Sequence, residues 1–154
     1  MATATPTRRR VRYSCLDEVV ADAQRAVGAK AGTTGNWSLG QILEHLATAQ
    51  DKMIDGFGFS TPWPVRTLGR LVFKKRVLMK GLTPGFKLNP KAAAVLVPGE
   101  TDAAAALEHF RRSTERLKTE QQRSAHPFLG PMTVEECNQM CLRHAELHMS
   151  FVTV

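Results

Sequence analysis

TVEECNQMCLRHAELHMSFV, residues 133–152, has the periodicity of an amphipathic helix. Thr133 followed by Glu136 fits a capping box, in which hydroxyl and carboxylate satisfy each other's backbone N–H groups. At about 100° per residue, Cys137, Met140, Cys141, His144, Leu147, His148, Phe151 and Val152 fall on one broad face. Glu135, Gln139, Arg143, Glu146 and Ser150 fall on the other. His144 and His148 therefore stand in the middle of the apolar face. They are one turn apart, so their imidazoles project side by side.

Imidazoles in such a position need partners, because an unpaired buried polar group costs roughly 1–3 kcal/mol. Two satisfied core histidines, each bonded to a carbonyl or carboxylate, are one solution. A metal ion shared by the i, i+4 pair is the other, and the central placement of both rings favours it. HAELH is not the H-E-x-x-H pattern of the metalloproteases. Glu146 lies about 160–200° round the helix from the histidines, so a glutamate base acting at the metal is excluded on geometry.

With 154 residues and 43% hydrophobic content, the chain has enough material for one domain with a sizeable core. No apolar run approaches the ~20 residues needed to span a membrane. The opening MATATPTRRRVR carries arginines without an apolar stretch. Residues 1–13 therefore read as a flexible basic tail, not a secretory signal, and residues 14–154 as the domain. Three cysteines, an odd number, fit a reducing cytoplasm better than a disulfide framework. Cys137 and Cys141 read as small core residues.

Ser14 opens a first predicted helix over residues 15–27, burying Leu16, Val19, Val20, Ala23 and Val27. Gly28, Gly32 and Gly35 then break the chain. Ser38 with Gln41 forms a second capping box for a helix running to about residue 57, with Leu39, Ile42, Leu43, Leu46, Met53 and Ile54 as its core stripe. His45 lies on the edge of that stripe, a boundary position expected to be half exposed. A further helix runs from Thr101 and Asp102 to about residue 123. Ala103, Leu107, Phe110, Thr114 and Leu117 form its stripe, and His109 is on its polar, solvent-facing side. His126 sits in the loop SAHPFLGPM, free to approach the mouth of a site or to face water.

Residues 56–99 contain eight Lys and Arg and no Asp or Glu. Pro62 and Pro64 precede a predicted helix over residues 65–79, and TPGFKLNPK reads as loop. A solvated basic face, a site for an anionic ligand or membrane, and nucleic-acid binding compete here. The spacings of the known nucleic-acid-binding motifs are missing, so no nucleic-acid partner is expected. Phe57, Phe59, Trp63, Leu71, Phe73 and Leu78 in the same region suggest a lid over a site or a homodimer contact.

The span from residue 137 to 148 is about 16 Å at 1.5 Å per residue, so one straight helix cannot gather a full ligand set. If the helices containing His45 and the His144–His148 pair run antiparallel, all three histidines are level. His109 passes the same test of height but faces the wrong way. The residues alone favour His45.

NWSLGQILEHLATAQD (residues 36–51), followed by LRHAELHMSF (residues 142–151), resembles the DinB-like superfamily. That superfamily includes S-transferases dependent on bacterial-type thiols, bacillithiol and mycothiol, and many members of unknown function, which this chain most resembles. The resemblance implies an all-α four-helix bundle in up-down-down-up order. Residues 58–100 would form the long crossover, carrying a basic accessory helix. It also implies His45, His144 and His148 as ligands of a divalent metal: zinc, nickel, iron or manganese. The expected function is metal-dependent activation of a low-molecular-weight thiol or of water, for transfer or hydrolysis. A non-catalytic bundle that binds a metal or a partner is the alternative. If the crossover folds back along the bundle, Arg66, Arg70, Lys74 and Lys75, with His126, would line the mouth and favour a small anionic ligand.

Overall fold

The computed structural model describes residues 7–153 and is mostly helical. The helices are α1 (Leu16–Gly28), α2 (Leu39–Asp55), α3 (Trp63–Leu68), α4 (Lys74–Lys80), α5 (Pro90–Leu96), α6 (Ala103–Thr119) and α7 (Val134–Met149). A π-helical turn, Gly69–Phe73, joins α3 to α4. Two short strands, β1 (Gly32–Thr33) and β2 (Val152–Thr153), pair antiparallel.

Both expected capping boxes form, Ser38 with Gln41 on α2 and Thr133 with Glu136 on α7. Asp102 caps α6 by accepting the Ala105 N–H. At α1 the cap is Cys15, without a side-chain bond, and not Ser14. The Ser14 N–H instead donates to Glu18. Helix α6 stops at Thr119, short of residue 123, because the Arg123 guanidinium folds back and donates to the Leu117 and Glu120 carbonyls.

Helices α1, α2, α6 and α7 share the core. Val19, Leu43, Leu46, Ile54, Phe110, Leu117, Cys137 and Met149 are all almost fully buried. Every residue of the predicted α2 stripe is buried, and Cys137 and Cys141 are buried free thiols. Contacts between α2 and α6 climb together: Glu44 with His109, Gln50 with Ser113 and Thr114, Asp55 with Arg116. These two helices therefore run in the same direction. Gly40 makes this approach possible, since a Cβ there would lie 1.9 Å from the Thr101 carbonyl oxygen. Helix α7 runs opposite to α2. His45, near the start of α2, meets His144, near the end of α7, while the Met53 carbonyl accepts from Ser124, ahead of α7.

Two helices running the same way need a long connection. That connection holds more helix than the predicted residues 65–79. The α3–α4 rod begins at Trp63, and α5 lies partly in the stretch expected to be loop. Asn89 caps α5 through the Ala92 N–H, with Pro90 at its first position. The α4 half of the rod lies along α7: Lys74 pairs with Glu136 at 2.7 Å, Gln139 donates to the Leu78 carbonyl, and Gly81 reaches Arg143 and Glu146. Gln139 and Arg143 are turned about 100–180° round α7 from His144 and His148, so the rod covers a different face from the histidines.

The polar side of α7 is correspondingly not a solvated face. Arg143, Glu146 and Ser150 are buried. Residues 8–13, expected in a flexible tail, form a strap across them, while residues 1–6 lie outside the described part. The Arg9 N–H donates to the Ser150 carbonyl, the Arg9 guanidinium pairs with Asp22 at 2.8 Å, and the Tyr13 N–H donates to Glu146 at 2.9 Å. The physical reason is charge. Buried carboxylates at Asp22 and Glu146 need cations or donors, and the arginine-rich start of the chain supplies them. Helix α7 ends at Met149, before the expected residue 152, because Val152 enters the small sheet.

Candidate metal centre

His45 projects from the second turn of α2 and is only 4% exposed. The sequence put it on an edge; α5, missed in the sequence, covers that edge. His45 Nδ1 donates to the Leu96 carbonyl at 2.6 Å. This bond fixes the tautomer, leaving Nε2 with a free lone pair, as a carbonyl commonly does behind a metal-ligating histidine. That Nε2 stands 3.0 Å from His144 Nε2. The three ring centroids form a near-regular triangle, with 4.9 Å from His45 to His144, 4.5 Å from His45 to His148 and 4.7 Å from His144 to His148. One potential ligand nitrogen from each of the three rings lies within 4.8 Å of the others.

The donor set suits a metal. Nitrogens at about 2.0–2.1 Å from a tetrahedral zinc ion lie roughly 3.3–3.4 Å apart, and the 3.0 Å His45–His144 separation needs only a few tenths of an ångström of opening to match. Three imidazoles leave coordination positions for a ligand from solution, and His144 and His148 are both partly exposed. Trp37 forms one wall, stacked within 8° of the His148 plane at 5.6 Å and 4.9 Å from His45.

Over residues 5–154 the sequence matches a family described as protein of unknown function, DUF1569. The chain belongs to the DUF1569 family. No curated protein and no solved structure matches it.

In this DUF1569 protein the surroundings of all three imidazoles disfavour the protonated ring. Burial pushes His45 below its usual range, against the pull of the Leu96 carbonyl. Burial also pushes His144 well down, helped by the neighbouring His148, His45 and His126. His148 is pushed down to about 3, by burial first and His45 second. Neutral rings offer lone pairs without proton competition, as metal binding requires.

The other sequence candidates are not among the three clustered rings, although His126 lies near enough to help lower His144. His126 is tied into its own loop. It forms a backbone bridge with Gly130, and its Nδ1 accepts from the Phe128 and Leu129 N–H groups at 3.1 and 3.2 Å. Burial lowers it to about 4. Arg66 and Arg70 pack over Gly130, whose φ of +71° a side chain would strain. Lys74 is held by Glu136 and the Pro131 carbonyl, and Lys75 is exposed. This basic group is seated by the start of α7. Glu136 there precedes His144 by about 12 Å along the helix. His109 is not solvated as expected but bridges α6 to α2, with Nδ1 on Glu44 at 3.0 Å and Nε2 on Asp51 at 2.8 Å.

Two contributors to the site went unassigned in the sequence, the Leu96 carbonyl and the Trp37 ring. The signal for the first was Asn89–Pro90, a cap residue followed by proline at the first helical position.

Proposed function

We propose that this DUF1569 protein is a DinB-like four-helix bundle in up-down-down-up order. In this reading it binds one divalent metal ion through His45, His144 and His148 and uses it for transfer or hydrolysis. The observation that carries the proposal is the convergence of three imidazoles from α2 and α7, one of them oriented by the Leu96 carbonyl. The resemblance of residues 36–51 and 142–151 to DinB-like sequences supports it, as does the shared direction of α2 and α6. Such an ion, when bound, lowers the pKa of a coordinated water or thiol toward neutrality. The chain's own part is to hold the rings. Leu96 keeps the His45 proton on Nδ1, Trp37 backs His45 and His148, and burial keeps protons off the nitrogens. A low-molecular-weight thiol or water is the proposed nucleophile.

Elemental analysis of the purified chain tests the site, with about one divalent ion per chain expected. His144→Ala with His148→Ala should abolish binding, His45→Ala should weaken it, and His109→Ala should leave it intact. Full occupancy in the double variant would refute the site. The cobalt-substituted chain then tests the chemistry. A thiol that leaves its visible spectrum unchanged, with no turnover of thiol acceptors, would favour a binding protein over an enzyme.

A further inference from the structure

The α3–α4 rod is turned outward in a way its composition does not favour. Trp63, Leu68, Leu71, Val72 and Met79 are 71%, 58%, 76%, 55% and 62% exposed, while Arg66, Gly69, Lys74, Val77 and Leu78 take the inner side. An amphipathic helix docked on a core normally buries its apolar stripe. Here Leu68, Leu71, Val72, Lys75 and Met79 follow i, i+3, i+4, i+7, i+11 spacing on the outer side. The π-turn at Gly69–Phe73 adds a residue to one turn, and Leu71, Val72 and Phe73 all emerge together. A contiguous apolar surface of this kind marks a partner.

Charge identifies the partner. Arg70, Lys75, Arg76 and Lys80 are exposed on the same rod, and residues 56–99 contain no acidic residue. A second copy docked by two-fold symmetry would set this acid-free surface against itself, with like charges opposed. A nucleic acid would use the cations and stack on Trp63, but would leave Leu68, Leu71, Val72 and Met79 unsatisfied. An anionic bilayer takes both sets, its phosphates meeting the cations and its acyl boundary the apolar side chains.

We propose that the α3–α4 rod docks this protein on the surface of an anionic phospholipid bilayer, with Trp63 and the Leu68–Leu71–Val72–Met79 stripe at the headgroup–acyl boundary. No helix among the described residues is long and apolar enough to cross a membrane, so the rod lies along the surface.

Flotation of the full chain with vesicles decides the matter. Vesicles of phosphatidylcholine with about a third phosphatidylserine should carry the protein up, and pure phosphatidylcholine should not, since each cation near an anionic surface strengthens binding about five-fold. Raising the ionic strength from about 0.1 M to about 1 M should release it, as the Debye length falls from about 10 to 3 Å. Leu68→Ser with Leu71→Ser, and separately Lys75→Glu with Arg76→Glu, should each reduce binding about ten-fold or more. Their thermal midpoints should match the wild type because these side chains are exposed. Anionic vesicles should shift the tryptophan emission to the blue, and Trp63→Phe should remove the shift. Failure to float with anionic vesicles, or flotation indifferent to the Leu68→Ser, Leu71→Ser change, overturns the proposal. A dimer dissociated by Leu71→Ser, or retention on nucleic acid, without vesicle binding would also overturn it and give the surface to that partner.

Discussion

Arg143 donates to both carboxylate oxygens of Glu146, at 2.7 and 2.8 Å, and the two side chains are only 4% and 9% exposed. The N-terminal strap closes over this pair, adding the Tyr13 N–H and the Arg12 guanidinium to the same carboxylate. Removing one member of a buried ion pair leaves an uncompensated charge. Glu146→Ala should therefore destabilise the fold by about 3–5 kcal/mol, measured by urea unfolding. A loss below about 1 kcal/mol would mean that water already reaches Arg143.

Helix α5 should tune metal affinity without touching the ion. Asn89→Ala removes a cap typically worth about 1 kcal/mol from the seven-residue helix that carries Leu96. Loss of a partner behind a metal ligand commonly costs about 10–100-fold in affinity. Loosening the Leu96 carbonyl should thus weaken metal binding by up to about ten-fold, read by competition with a chelator. Unchanged affinity would show that the carbonyl is held by contacts other than the α5 cap.

His109 should make stability depend on pH. Burial opposes its protonation, but hydrogen bonds to Asp51 and Glu44 outweigh burial and raise its pKa above the usual 6.5. A raised pKa gives stability that is fully present below the unfolded value and is lost as pH rises through the folded value. The wild type should therefore exceed His109→Gln by about 1 kcal/mol near pH 6, with the margin shrinking by about pH 9. A margin that grows with pH would contradict the assignment.

Glycine substitutions should separate close approach from free space. Gly40→Ala places a Cβ 1.9 Å from the Thr101 carbonyl oxygen, so the entry to α6 must move. A loss of about 3 kcal/mol is expected. Gly28 has no atom within 4 Å of an added Cβ, and Gly28→Ala should be stabilising by about 0.4–1 kcal/mol. Thermal midpoints of the two variants should therefore move in opposite directions.

Helix-level signals were legible where they act over a few residues. The capping boxes at Ser38 and Thr133 and the α2 stripe could be read directly, as could the two histidines one turn apart on α7. Facing tilted the choice toward His45 over His109, and the resemblance of residues 36–51 and 142–151 to DinB-like sequences settled it. Features created by long-range contacts were not legible. Periodicity treats one helix at a time, so Glu146 looked like part of a polar face when the strap buries it. Arg9 and Arg12 looked loose because nothing local shows that Asp22, in the next helix, and Glu146, 134 residues beyond Arg12, would claim them. His45 looked half exposed because its cover is a carbonyl 51 residues away. The outward turn of Leu71, Val72 and Phe73 depends on a π-turn that a regular 3.6-residue repeat does not anticipate.

The antiparallel meeting of α2 with α7 also bears on when the site can exist in a living cell. His45 and His144 are separated by 99 residues. At a synthesis rate of about 5–20 residues per second, roughly 5–20 s pass between their additions to the chain. A ribosome-bound fragment ending before α7 has only His45 of the three clustered imidazoles and none of the opposing pair. Metal loading would therefore belong to the finished polypeptide, and prematurely terminated products would not compete for the ion.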